Sequence, residues 1–443
     1  MVSTHSILTI AVLAFSSVSA LPSEPRGIID PAGVPSKRYL AFPLHATSKT
    51  RSVSLHKRQK QVPIANQIHG LTYNVNLTIG CSNQPVVLQL DTGSSEMWVN
   101  PDCSKVPNWG KGLVNDSELS AAQCLREPRY DPALSTTSVN LNETFSLTYG
   151  SGNVSGTYFT DDVTYAGGKI KQQQFGVAEQ SAGIPTGILG VGPTKLVNAE
   201  PGKPGQIKYP GFINNLKSQG HISHIALSLD LRAVDQQGAV IFGGLDTKKY
   251  KDSLTKFPTE NGGYYVPMTS VGQTISGQNS TTYPATTFNK SNSTNGVNVL
   301  LDSGAPFLVL PPALVLSIGN EYPGSSYDPS TRRFTVACQA PAGTIDFTFG
   351  ANKTIHVPYS DFIFQDDAAK DESGAATCIL GMMFGPPDFL VLGDSFMRAA
   401  YIVYDVDGKA IWLGEADDCG ENIVAIGAKG VPVVEGCSSK SSY

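Results

Sequence analysis

From residue 71 onward, apolar residues come in short runs that Gly, Pro and Asn interrupt. Leu71 to Ile79, Val86 to Leu90, Phe145 to Tyr149, Ile225 to Leu229, Ala239 to Phe242 and Phe389 to Leu392 each have the length and the β-branched or aromatic content of a strand. Helical periodicity is scarce. Pro311 to Ile318 and Gly211 to Ser218 are the better short-helix candidates. The pattern predicts an all-β architecture. At 443 residues the chain is long enough for two domains or one large bilobal one.

The same pattern occurs twice. Val86-Val87-Leu88-Gln89-Leu90 runs into Asp91-Thr92-Gly93-Ser94-Ser95, and Val297-Asn298-Val299-Leu300-Leu301 runs into Asp302-Ser303-Gly304. Each apolar run is followed, well downstream, by a second one ending in Gly: Ile188-Leu189-Gly190 and Val391-Leu392-Gly393. The two Asp lie 211 residues apart. Four pieces that keep their order and spacing predict two related lobes, each contributing one Asp turn. The expected boundaries are 59–245 for the first lobe and 246–420 for the second, with 421–443 as a C-terminal extension.

Composition narrows the class. Hydrophobic residues make up 40% and charged residues 16%, which excludes a disordered chain. A net charge of −5 gives no reason to expect nucleic acid or an anionic membrane as partner. Ile7 to Phe15 is too short to span a bilayer, and Val18-Ser19-Ala20 supplies the small residues of a cleavage site. Residues 1–20 are therefore expected to be a signal peptide. Residues 21–58 carry seven Lys/Arg against two acidic residues and end in His56-Lys57-Arg58, a processing-site pattern that predicts a propeptide. The rest then holds 25 basic and 35 acidic residues, so a basic leader would face an acidic body. No hydrophobic tail follows Gly436, which argues against a C-terminal anchor. Release outside the cell is expected in preference to retention in an acidic vacuole.

The seven cysteines fit an oxidising compartment. Cys103 and Cys124 would close one local loop, and Cys338 and Cys378 another. Cys81, Cys419 and Cys437 remain, and an odd count leaves at least one thiol outside the intramolecular pairs. No Cys-x-x-Cys occurs, so neither a thiol redox site nor zinc is suggested. His221-Ile222-Ser223-His224 lacks the Glu of a zinc-protease helix, and its histidines are expected to face solvent. No metal and no cofactor is expected. Sequons start at Asn76, Asn115, Asn142, Asn153, Asn279, Asn289, Asn292 and Asn352. All but Asn153 are candidate glycan sites, because Asn153 falls where a glycan would obstruct a glycine-rich hairpin tip.

Asp91-Thr92-Gly93-Ser94-Ser95 with Met97-Trp98-Val99, then Tyr149-Gly150-Ser151-Gly152, then Asp302-Ser303-Gly304, resemble the pepsin-like aspartic proteases. The likeness runs from about residue 71 to about 415 and is strongest to the secreted fungal branch. It implies a bilobal fold of two pseudo-two-fold-related β lobes around a cleft. It also implies a secreted, monomeric endopeptidase that binds protein or peptide substrates extended and cuts between bulky apolar residues. In that reading Asp91 and Asp302 are the catalytic pair, and Thr92, Gly93, Ser94, Ser303 and Gly304 support them. Tyr149, Gly150 and Ser151 form a flap, with Trp98 hydrogen-bonded to the flap tyrosine. Tyr264-Tyr265 resembles the aromatic pair that opens the second lobe's cleft. The leader would hold the enzyme inactive, with Lys37 or Arg38 near the two Asp.

The chemistry of the residues agrees. Hydrolysis without a covalent intermediate needs one base to activate water and one acid to polarise the carbonyl. Two carboxyls sharing one proton supply both. Ser94 has no counterpart after Gly304, where Ala305 and Pro306 stand. A missing hydrogen bond to an ionised carboxylate raises its pKa, so a less acidic optimum is expected than with a hydroxyl there. The rival readings are an inactive protease-shaped binding or decoy protein and a wall glycoprotein. Both Asp, Ser94 and Tyr149 being present speaks against them.

Overall fold

The computed structural model describes residues 39–48, 71–105, 124–165, 168–193, 209–232, 236, 238–259, 263–275, 280–287, 296–370, 376–386 and 389–438. The expected signal segment and the expected leader apart from 39–48, including Lys37 and Arg38, lie outside these, as do Asn115, Asn279, Asn289 and Asn292. Strands dominate. In chain order the first ten are β1 (Leu40–Ser48), β2 (Leu71–Ile79), β3 (Gln84–Asp91), β4 (Met97–Val99), β5 (Val139–Tyr149), β6 (Gly152–Tyr165), β7 (Gly168–Ala182), β8 (Gly187–Gly190), β9 (Ala226–Asp230) and β10 (Gly238–Phe242). Period-two patterning explains them. On β2, Tyr73, Val75, Leu77 and Ile79 are buried while Asn76 is exposed. Helices form at Phe212–Ser218 and Pro312–Glu321, where the apolar residues recur on one face.

Two large sheets carry the fold. The first has 13 strands in the order Thr255–Pro258, Ala410–Glu415, Ala400–Asp405, β9, β10, β1, β2, β3, β8, β4, β7, β6, β5. The second has eight, with Val297–Leu301 between Tyr265–Ile275 and Val391–Leu392. The sequence repeat is visible as a repeated pairing. Strand β3 runs parallel to β8, with Asp91 opposite Gly190. Val297–Leu301 runs parallel to Val391–Leu392, with Leu301 opposite Leu392. Parallel strands covered on both faces read as unbroken apolar runs, and Leu90, Leu189, Leu301 and Leu392 are all buried. The run at Phe389 to Leu392 contributes only Val391–Leu392 as strand. Phe389 closes a turn on Pro386 and stays exposed.

The described part of the segment expected to be a leader is a strand inside the first sheet. Leu40 to Leu44 pair with β10, and His45 to Ser48 pair with β2. Phe42 and Leu44 are buried in the main core.

Cysteines pair as Cys103–Cys124, Cys338–Cys378 and Cys419–Cys437, leaving Cys81 exposed. Hydrogen bonds from Thr136 and Ser135 lower the Cys81 thiol pKa to about 7. The third bridge ties the segment after Glu415 to itself, and Ile423–Ala425 pairs with Gly244–Asp246. The expectation for the histidine pair needs correction. His224 is buried, with Nε2 2.6 Å from Asp405 Oδ1. It precedes β9, a central strand paired with Ala400–Asp405, so it cannot face solvent. His221 packs edge-on against Tyr165. Asn76, Asn142, Asn153 and Asn352 are exposed.

Candidate active site

Asp91 ends β3, and Asp302 follows the strand Val297–Leu301. Their carbonyl and amide are tied to the neighbouring late strands: Val191 N donates to Asp91 O at 2.9 Å, and Asp302 N donates to Leu392 O at 3.1 Å. Each carboxylate accepts the amide of its own turn glycine. Gly93 N donates to Asp91 Oδ1 and Gly304 N to Asp302 Oδ1, both at 2.8 Å. Glycine is required at both places because the turns abut. A Cβ on Gly93 would stand 2.5 Å from Asp302 Oδ2, and one on Gly304 would stand 2.5 Å from Asp91 Oδ1. The two carboxyls therefore meet across the glycines.

Thr92 and Ser303 lock the turns together. Thr92 N donates to Ser303 Oγ at 3.2 Å, and Ser303 N donates to Thr92 Oγ1 at 2.9 Å. Thr92 Oγ1 donates onward to Leu301 O, and Ser303 Oγ to Leu90 O, each at 2.9 Å. Both side chains are fully buried, so these four bonds are shielded from water. Gln89 Nε2 adds a bond to Gly304 O at 3.2 Å.

The outer oxygens are treated differently. Ser94 Oγ donates to Asp91 Oδ2, whereas Ala305 offers Asp302 no hydroxyl. Burial raises the Asp91 pKa, and the bonds from Ser94 and Gly93 offset part of that. Asp302 is raised as well, by burial first and by the Asp91 charge second, with the Gly304 amide pulling back. The pair titrates jointly, and like charges this close keep one proton between them. A third buried carboxyl, Asp394, stands close enough to feel the charges of the pair. Burial pushes it well up, despite Arg398 beside it.

The hairpin of β5 and β6 turns at Gly150-Ser151, with Tyr149 opposite Gly152. Trp98 Nε1 donates to Tyr149 Oη at 2.9 Å. Trp98, Phe145, Leu147, Val154, Ile184 and Ile188 form an apolar cluster against which Tyr149 packs. Burial raises the Tyr149 hydroxyl well above the ordinary phenol range, and the Asp91 charge adds to the shift. Of the aromatic pair, Tyr264 belongs to the core. Its ring lies 4.3 Å from that of Tyr404, and its hydroxyl donates to Val191 O at 2.9 Å. Tyr265 is partly exposed and feels the Asp302 charge.

Sequence reasoning passed over Glu96, Tyr158 and Tyr209. Glu96 is buried five residues after Asp91 and accepts hydrogen bonds from both tyrosine hydroxyls. The available signal was an acidic residue inside the run Ser95-Glu96-Met97-Trp98. Among the described residues, no group of three or more His, Cys, Asp or Glu is arranged to hold a metal ion.

The family described as "Eukaryotic aspartyl protease" matches residues 72–416. "Candidapepsin-3" of Candida albicans is 32% identical over 371 residues, covering 82% of this chain and 84% of that protein. "Secreted aspartic protease 4" of Candida albicans is 34% identical over 376 residues, covering 83% and 82%. "Acid protease" of Saccharomycopsis fibuligera is 29% identical over 357 residues, covering 78% and 80%. The crystal structure of aspartic proteinase from Irpex lacteus has a similar fold, with a TM-score of 0.58 at 22% identity. The match covers 86% of this chain and 98% of that one.

Proposed function

The chain belongs to the eukaryotic aspartyl protease family and is an aspartic endopeptidase, and we propose that Asp91 and Asp302 are its catalytic pair and that it is made as a zymogen. One observation carries the reading: the two carboxyls meet across Gly93 and Gly304, each fixed by a turn amide. Aspartic proteases are the type case of two such carboxyls sharing a proton. The ionised member takes a proton from a water, and the water oxygen bonds to the peptide carbonyl carbon. The protonated member gives its proton to the carbonyl oxygen. When the resulting gem-diol collapses, one of its hydroxyls returns a proton to the now ionised member, the C–N bond breaks, and the amine leaves with the proton of the other member, which restores the one-proton pair. Closure of the hairpin over the peptide excludes water, and the apolar cluster beneath Tyr149 favours bulky apolar side chains.

The leader strand supports the zymogen reading, because β1 fills a place between β10 and β2 and buries Phe42 and Leu44 there. Cleavage after Arg58 would free it. Export is supported by the signal pattern at residues 1–20 and by the name of the relative "Secreted aspartic protease 4". Among the described residues no helix is long and apolar enough to cross a membrane.

The test is incubation of the secreted protein with denatured globin over mildly to strongly acidic pH. N-terminal sequencing is expected to begin at Gln59. Hydrolysis is expected to be abolished by a statine-type inhibitor and to fall at least about a thousandfold in Asp302→Asn, since acid–base chemistry alone is worth about 10²–10⁴-fold. Undiminished hydrolysis in that variant would exclude Asp302 from the mechanism. An N-terminus at Leu21 on the active enzyme would exclude the zymogen.

A further inference from the structure

We propose that Glu96 is a positioning residue for substrate binding, its carboxyl clasping the flap's return strand and the Tyr209 segment to the turn that bears Asp91. The inference rests on the catalytic reading above. Glu96 itself lies outside the pair, the flap and the glycine turns.

The backbone of Glu96 is held in place. Gly190 N donates to Glu96 O at 2.9 Å, and a Cβ on Gly190 would stand 2.5 Å from Glu96 N. The side chain is buried, and each oxygen has one hydroxyl donor. Tyr158 Oη donates to Oε1 at 3.1 Å, and Tyr209 Oη donates to Oε2. These donors come from distant parts of the chain. Tyr158 lies on β6, and Tyr209 leads into the helix Phe212–Ser218. Their rings pack on each other at 5.6 Å, edge to face. Tyr158 also packs on Phe145 of β5 at 5.1 Å. Two struts therefore run from residues 96–98 to the flap hairpin. One is Trp98 to Tyr149, and the other is Glu96 to Tyr158 to Phe145.

Burying a carboxyl without a cation is costly unless it is hydrogen-bonded. The titratable groups that face Glu96 among the described residues are Tyr149 on β5, Tyr158 on β6, and Tyr209. All three are neutral phenols in acid. Burial raises the Glu96 pKa above the ordinary range, and the two hydroxyls offset part of the rise. The native protein thus holds this proton more tightly than the unfolded chain does. The contribution is complete below the ordinary Glu pKa and is lost as pH climbs through the raised value. Ionised Glu96 draws water toward the struts, so peptide affinity should weaken toward neutral pH.

The experiment measures the dissociation constant of an extended peptide substrate, by fluorescence, on the Asp302→Asn background across the acid range. KM and kcat are measured in parallel on the active enzyme. Losing one well-placed buried hydrogen bond is worth about tenfold in affinity. Glu96→Ala, which removes two, is expected to weaken peptide binding and raise KM by at least that factor, with kcat within about twofold. Tyr209→Phe should do the same to a smaller extent. Glu96→Gln should restore tight binding in acid and remove its weakening as pH rises. Unchanged affinity in both Glu96→Ala and Tyr209→Phe would overturn the proposal. So would a Glu96→Gln pH profile that superposes on the parent's. If Glu96→Ala does not fold, Tyr209→Phe and Glu96→Gln decide alone. Because peptide binding is read without turnover, failure here is distinct from failure of the catalytic pair, which would appear as activity in Asp302→Asn.

Discussion

The turn at Asp91 and the turn at Asp302 are built alike through their third residue and diverge at the fourth. In both, a strand end carries the Asp, a buried hydroxyl crosses to the other turn, and a glycine amide holds the inner carboxylate oxygen. Then Ser94 hydrogen-bonds Asp91 Oδ2, while Ala305 and Pro306 follow Gly304. The shared part is backbone architecture, and it brings the carboxyls together. The differing part is one hydroxyl, and it pulls the Asp91 pKa down against the rise that burial causes. Geometry and proton affinity are thus separable in this site.

The shared part should show the largest effects. Ser303→Ala leaves the buried Thr92 amide and the Leu90 carbonyl without that hydroxyl, and Thr92→Ala leaves the Ser303 amide unpaired while Leu301 O keeps the Tyr404 hydroxyl, which costs about 2–4 kcal/mol at most. Ser303→Ala is expected to cost the more of the two, and the double variant less than their sum, because the bonds are reciprocal. Urea unfolding at acid pH checks this. A cost confined to one of the two would show that the turns are not mechanically equivalent.

Next comes the hydroxyl itself. Ser94→Ala makes the Asp91 turn resemble the Asp302 turn. A bond to a charged group is worth about 1.5–3 kcal/mol, so kcat/KM should fall about 10- to 100-fold. The acid limb of the pH–rate profile should move up, because the ionised form loses a donor. A profile with an unmoved limb would mean that Ser94 does not tune the pair.

The smallest effect is expected from the reverse change. Ala305→Ser offers Asp302 a donor, so the acid limb should move down, by less than about one pH unit. Both carboxyls are raised in the native state, so their contribution to stability is present in acid and is lost as pH rises through the raised values. Lowering Asp302 lessens that loss, and the melting temperature of Ala305→Ser should decline less steeply with pH. A limb that stays put or moves up would sink the idea that residue 305 sets the acid side of the profile.

Much of the site was legible because its parts are local. An apolar run ending in Asp-Thr-Gly or Asp-Ser-Gly is strand followed by tight turn, and Phe145, Leu147 and Tyr149 alternate up to a glycine-rich hairpin tip. Glu96 was not legible, because its meaning comes from Tyr158 and Tyr209, which lie 62 and 113 residues further along the chain. His224 failed for the same reason. Its partner Asp405 is 181 residues distant, and nothing near His224 signals burial. Phe389 failed differently: an apolar run counts as strand only until a turn claims its first residues.

By itself the sequence determined two Asp turns, a repeated strand pattern and a glycine-tipped hairpin, since turn chemistry and period-two burial act over a few residues. Tertiary structure alone decided which carboxyls meet, which of them lose water, and where the strand Leu40–Ser48 enters the sheet. Those outcomes depend on desolvation and on charges or donors brought close from remote positions. The pair that resembles itself in sequence is made unequal by one hydroxyl, and made a pair only by the glycines that let its carboxyls meet.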